Sequence, residues 1–179
     1  MHTRTILATL TAAAALLLTG CGAGAVNTGQ VGPAQAGAPS SSVAADQKQT
    51  PTWGQRYTWP SGLAVEVTKP ATCKPGQYAS PPNVTRAVKV TITVVNGTDK
   101  AINTALLSTV NAQFAGANAE TVFDSGGKCG DGGMNAADVL PGKTFTFDIA
   151  FSVGKDPGEL QLSLQPDIMG DKAVFLGQA

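Results

Sequence analysis

Ala87-Val88-Lys89-Val90-Thr91-Ile92-Thr93-Val94-Val95 reads as a β-strand with one dry and one wet face. Val88, Val90, Ile92 and Val94 fall on one side, Lys89, Thr91 and Thr93 on the other. That is the period of two a half-buried strand imposes. Asn96-Gly97 follows and predicts a tight turn, because positive φ costs these residues little. Two later stretches repeat the pattern. From Lys143 to Val153, Phe145, Phe147, Ile149, Phe151 and Val153 alternate with Thr144, Thr146, Asp148 and Ser152. Leu160, Leu162 and Leu164 then alternate with Gln161, Ser163 and Gln165.

Weaker strand candidates are Leu63 to Thr68, Ile102 to Phe114, Glu120 to Asp124 and Lys172 to Leu176. Turn residues separate them at Pro141-Gly142, Asp156-Pro157-Gly158 and Met169-Gly170-Asp171. The alanines and leucines of Ala101 to Gln113 would also suit a helix, but its Thr and Asn content and its all-β surroundings favour strand. About seven short strands with regular breaks predict an all-β fold, an antiparallel β-sandwich.

The N-terminal part is of another kind. Arg4 precedes an apolar run from Ile6 to Leu18, shorter than the ~20 residues that span a bilayer. This fits a signal sequence better than a membrane helix. Leu18-Thr19-Gly20-Cys21 closes the run and resembles the lipobox of bacterial lipoproteins. In that family the peptide is cut before the cysteine, whose thiol then carries lipid such as palmitate. A plain secretory signal is the alternative. The expectation is a signal peptide at 1–20 and a lipidated Cys21 holding the chain on the extracellular face of the cytoplasmic membrane. The alanine- and glycine-rich leader has an actinobacterial style.

From 22 to 52 the residues are mostly Gly, Ala, Pro, Ser, Gln and Thr, with Val26 and Val43 the large aliphatics. Such a stretch cannot offset its ordering entropy by burial, so 21–52 is expected to be a disordered tether. As a flexible coil its ends would lie roughly 30 Å apart. Residues 53–179 have the size of one domain, enough to bury a core of its own.

The chain carries twelve basic and twelve acidic residues, and loss of Arg4 with the leader would leave a formal charge of −1. With no basic run, nucleic acid is excluded as a natural partner. Cys73 and Cys129 are the remaining thiols, and in an exported chain they are expected to form a disulfide. A redox or metal pair is the alternative, but no Cys-x-x-Cys spacing supports it.

The one histidine, His2, lies in the leader. Catalysis by Ser-His-Asp or Cys-His, and zinc held by histidine, are thereby excluded from the mature chain. Ser125–Lys128 and Ser152–Lys155 each match Ser-x-x-Lys, but the Ser-Asp-Asn and Lys-Thr-Gly partners of that chemistry are missing. Gly142-Lys143-Thr144 imitates the end of a phosphate loop whose first glycine is here Ala137. These motifs read as turns. No catalytic residue, metal or cofactor is expected, and the chain is expected not to be an enzyme.

Asp124, Asp131 and Asp138 border a glycine-rich stretch. They suit either a calcium loop of irregular spacing or, as we favour, a solvated loop pinned by the disulfide. Trp53, Tyr57 and Trp59 stand on alternate positions and would share one face of an extended segment. They are either a first strand on the core or an exposed platform for sugar rings.

One family resemblance emerges from these stretches. It is carried by Val88 to Asn96 with Gly97-Thr98-Asp99-Lys100, by Phe123-Asp124-Ser125, by Leu140-Pro141-Gly142-Lys143, and by Phe151-Ser152-Val153 with Gly158-Glu159-Leu160. Together these resemble a domain family of Gram-positive lipoproteins and secreted proteins, across about Trp59 to Gly177. The resemblance implies an immunoglobulin-like sandwich similar to that of a small secreted mycobacterial antigen. It carries over no catalytic residue. Two functions are then expected: a non-enzymatic module that binds an envelope protein or cell-wall component, or a lipoprotein binding cell-wall glycan or a small solute at Trp53, Tyr57 and Trp59.

Overall fold

A computed structural model describes residues 29–33, 50–108, 111–130, 132, 136–166 and 170–179. In chain order the strands are β1 (Gln30–Pro33), β2 (Gln55–Thr58), β3 (Leu63–Val67), β4 (Ala71–Cys73), β5 (Ala87–Asn96), β6 (Ile102–Asn103), β7 (Asn111–Phe114), β8 (Ala117–Asn118), β9 (Thr121–Val122), β10 (Asp138–Val139), β11 (Thr144–Ser152), β12 (Glu159–Leu164) and β13 (Ala173–Gln178), with a 3-10 turn at Thr104–Ser108. The larger sheet runs β1-β2-β3-β5-β11-β9, with β4 also on β5. The smaller runs β13-β12-β7-β8, and β6 pairs β10 apart from both. Every pairing is antiparallel.

The alternation in β5 and β11 sets the architecture. Val88, Val90, Ile92 and Val94 lie opposite Phe151, Ile149, Phe147 and Phe145, and this face meets Leu160, Leu162, Leu164 and Phe175 of the smaller sheet in one core. Val65, Ile92, Phe151, Leu162 and Phe175 have no exposed surface. Each such side chain contributes about 1.5–3 kcal/mol of burial. The result is an immunoglobulin-like antiparallel sandwich.

Three local expectations need correction. The turn expected at Asn96-Gly97 does not use positive φ, which neither residue adopts, and β5 is followed in its sheet by β11 rather than by the next strand in sequence. Asn96 is buried, donating through Nδ2 to the Lys100 and Val139 carbonyls at 2.7 Å each and accepting from the Thr98 amide at 3.0 Å. Gly97 is required by backbone approach, since a Cβ there would lie 2.5 Å from the Gly62 carbonyl oxygen. The expected strand Ile102 to Phe114 breaks into β6, the 3-10 turn and β7. Finally, Gln30–Pro33 is a strand inside the stretch expected to be a disordered tether. It has no hydrophobic period because the β2 ladder holds it through backbone groups, and Val31 is its one side chain packed against the core.

The Pro141-Gly142 turn follows expectation, while Met169 of the Met169-Gly170-Asp171 turn lies outside the described residues. Lys143 N–H donates to the Leu140 carbonyl at 3.0 Å with Gly142 at φ 71°, the arrangement Pro-Gly favours. It delivers the chain into β11.

Candidate functional site

The aromatic segment is the first candidate. Tyr57 is 7% exposed and Trp59 4%, their rings edge to face with centroids 5.1 Å apart. Trp59 Nε1–H donates to the Asp171 carbonyl at 2.7 Å. Trp53 is partly buried, and its Nε1–H donates to the Gln178 carbonyl at 3.0 Å. The three residues therefore share the inward face, as alternation predicts, but they pack on β13 and the core. No exposed stack for sugar rings exists here. Burial of Tyr57 and Trp59 speaks against the platform reading, because a ring face already covered by protein has none left for a ligand; Trp53 is half-buried.

The outer face of the larger sheet carries a polar row. Lys89 Nζ donates to Asp148 Oδ2 at 2.8 Å and Thr91 Oγ1 to Asp148 Oδ1 at 2.6 Å. Arg56 Nε donates to Glu66 Oε1 at 2.7 Å on the neighbouring strands. Burial raises the Asp148 pKa, but the hydrogen bonds from Lys89 and Thr91 and the ammonium charge outweigh it, holding the carboxyl below its ordinary range. The row consists of cross-strand pairs, which stabilise a sheet. Their polar atoms face one another.

The third candidate is a lobe on that outer face, where β5 begins at Ala87. Cys73 and Cys129 are disulfide-bonded, with Cα atoms 5.3 Å apart. The bridge joins β4 to the loop after β9 and sits in a second small core with Ala87, Val122 and Ala150, flanked by Ala79 and Val84. Asp124 is buried, and its carboxylate accepts the Gly76 and Cys129 amides, each at 3.0 Å. A Cβ at 127 would fall 2.0 Å from Asp124 Oδ2, so only glycine fits. Asp124 thus organises the loop that the disulfide pins.

Asp138 accepts from Asn103 Nδ2 at 2.8 Å on the separate β6–β10 ladder, and Asp131 lies outside the described residues. Among the described residues, no three His, Cys, Asp or Glu side chains gather as metal ligands.

The lobe displays Tyr78, 92% exposed, and Phe123, 42% exposed. Phe123 pairs with Ser80 through two backbone hydrogen bonds of 2.8 and 2.9 Å, which brings the two aromatic-bearing segments side by side. Lys74 and Lys128, each next to a half-cystine, are exposed as well. Sequence reasoning passed over Tyr78, since an isolated tyrosine in a Pro/Gly loop has no pattern. Ser125 and Lys128 belong to this exposed loop; Ser152 and Lys155 flank the end of β11. Cys21 lies outside the described residues.

No protein-family model matches the chain, and no curated protein does. Among solved structures it is similar to a candidate lipoprotein, ycdA, of Bacillus subtilis: TM-score 0.52, 12% identity, over 65% of this chain and 36% of that one. It thus spans about a third of the Bacillus protein. It is also similar to MPT63, a secreted protein of Mycobacterium tuberculosis (TM-score 0.42, 21% identity, 65% and 82% covered). A β-sandwich protein of Clostridium difficile is the third (TM-score 0.43, 12% identity, 75% and 99% covered). The Bacillus likeness is one of fold, and it gives no support to an actinobacterial restriction.

Proposed function

We propose that this chain is an extracellular lipoprotein, anchored to the cytoplasmic membrane through lipid on Cys21, whose sandwich binds another protein of the cell envelope without catalysis. The single observation behind the binding role is the disulfide-pinned lobe, which holds Tyr78 almost fully in solvent on a rigid scaffold. Large aromatics on fixed loops are the residues that interfaces use as anchors, and nothing in the core needs Tyr78 there. Lys74 and Lys128, exposed next to the disulfide that pins the lobe, favour a partner with an acidic surface. The lipobox at Leu18–Cys21 supports the anchor, and the disulfide accords with an exported chain.

The test places a photo-crosslinking amino acid at position 78 or position 61 on living cells. One recurrent envelope protein captured from 78 and not from 61 supports the reading. Equal capture from both positions, or none from 78, contradicts it.

A further inference from the structure

We infer that β1 is a strap, resting on the lipid-anchor reading: by docking on the β2 edge it shortens the tether and stands the sandwich on the membrane with the disulfide lobe outermost.

The seat for β1 is specific. Four residues pair with β2, Gln30 opposite Thr58, Val31 opposite Tyr57, Gly32 opposite Arg56 and Pro33 opposite Gln55. Just before them, the Gly29 amide donates to the Tyr57 hydroxyl oxygen at 3.0 Å. The ring lies so close that a Cβ at 29 would stand 2.1 Å from Tyr57 Cζ. Only glycine enters beneath this tyrosine. Val31 reaches the main core, and Pro33 has no amide to offer a further strand, which blunts the edge.

Direction follows from the register. β1 begins opposite Thr58, and β2 leads from there through the Trp59–Gly62 turn into Leu63, which pairs with Asn96. Gly142 donates to the Asn96 carbonyl at 2.7 Å at the same end. The opposite end is the Cys73–Ala87–Ser152 row and the lobe. The N-terminal end of β1 therefore lies at the end away from Tyr78.

Length does the rest. Only Gly22 to Gly29 separate Cys21 from β1, eight residues that span at most about 29 Å when fully extended. The ten-residue strand β5 is itself about 33 Å long. An inverted posture would need the whole link stretched along the sheet. With β1 released, the link would run on to Thr50, and a chain of that length imposes no posture.

The experiment uses the mature lipoprotein in vesicles carrying a headgroup-linked quencher, with a fluorophore introduced genetically at position 61 or position 78, and lipid labelling followed in parallel. Quenching several-fold stronger at 61 than at 78 is expected. In Gly29→Val the ratio should fall toward one. A twenty-residue Gly/Ser insertion between Gly22 and Gly29, which leaves the sandwich untouched, should do the same. Equal quenching at 61 and 78 in lipid-labelled protein, or a ratio unmoved by the insertion, overturns the strap. Protein that takes up no lipid label overturns the anchor on which it rests.

Discussion

Trp59 and Asp171 are joined across the sandwich, the indole Nε1–H donating to the backbone carbonyl at 2.7 Å. This bond ties the turn after β2 to the approach to β13, and Trp59 itself is buried in the core. The residue that alternation offers as a sugar platform is a strut between sheets.

Trp59→Phe should therefore cost about 1–3 kcal/mol, leaving the Asp171 carbonyl without its donor, and Trp59→Ala about 3–5 kcal/mol. Urea unfolding measures both. Retention on cell-wall glycan should be the same for wild type and Trp59→Phe; a selective loss of retention in the stably folded variant would restore the platform.

Asp124→Ala should lower stability by about 1–3 kcal/mol, because the Gly76 and Cys129 amides lose their acceptor in a buried place. Gly127→Ala should be of similar severity, its Cβ meeting the carboxylate. Calcium should change neither midpoint. A calcium-dependent rise in the wild-type melting temperature would instead make this loop an ion site.

Mass spectrometry without reductant should recover Cys73 linked to Cys129. The bridge spans 56 residues of sequence, for which loop-entropy arguments give about 4 kcal/mol as an upper figure. The double variant Cys73→Ser/Cys129→Ser should unfold at lower denaturant, with fast hydrogen exchange at Val122 and Ala87 before the main core opens. Two free thiols in the exported protein would contradict the pairing.

Acid should weaken the outer-face pairs. The folded carboxyl of Asp148 titrates below its ordinary value, since hydrogen bonds from Lys89 and Thr91 and the Lys89 charge outweigh burial. Its contribution is then complete above the unfolded value and fades as pH falls through the folded one. Asp148→Asn should flatten that part of the stability curve; an unchanged acid limb would assign the loss to other carboxylates. Tyr57 has the opposite sign. Burial, with a smaller push from the Asp171 charge, raises its pKa against the lowering effect of the Gly29 bond. Its contribution is complete below about pH 10 and is lost as pH rises through the folded value.

Period-two patterning made β5, β11 and β12 legible to within a residue or two, because each buries one face and wets the other. What hid from the sequence was held by backbone rather than by side-chain pattern. Gln30-Val31-Gly32-Pro33 carries one core side chain, and β4 carries none that is fully buried. Asn96-Gly97 has the composition of a hairpin turn, yet buried hydrogen bonds to Lys100 and Val139 claim the asparagine. At the candidate sites, Cys73 and Cys129 were readable from thiol arithmetic. Tyr78 was not, for exposure of a lone loop aromatic depends on what surrounds it.

The anchor carries the whole functional account, so the most direct measurement is the intact mass of the protein extracted from cell membranes, compared with Cys21→Ala. The account predicts a mature chain starting at Cys21 and bearing lipid, with the variant released from the membrane. An unmodified chain starting elsewhere, or a variant that still sediments with membranes, would contradict it.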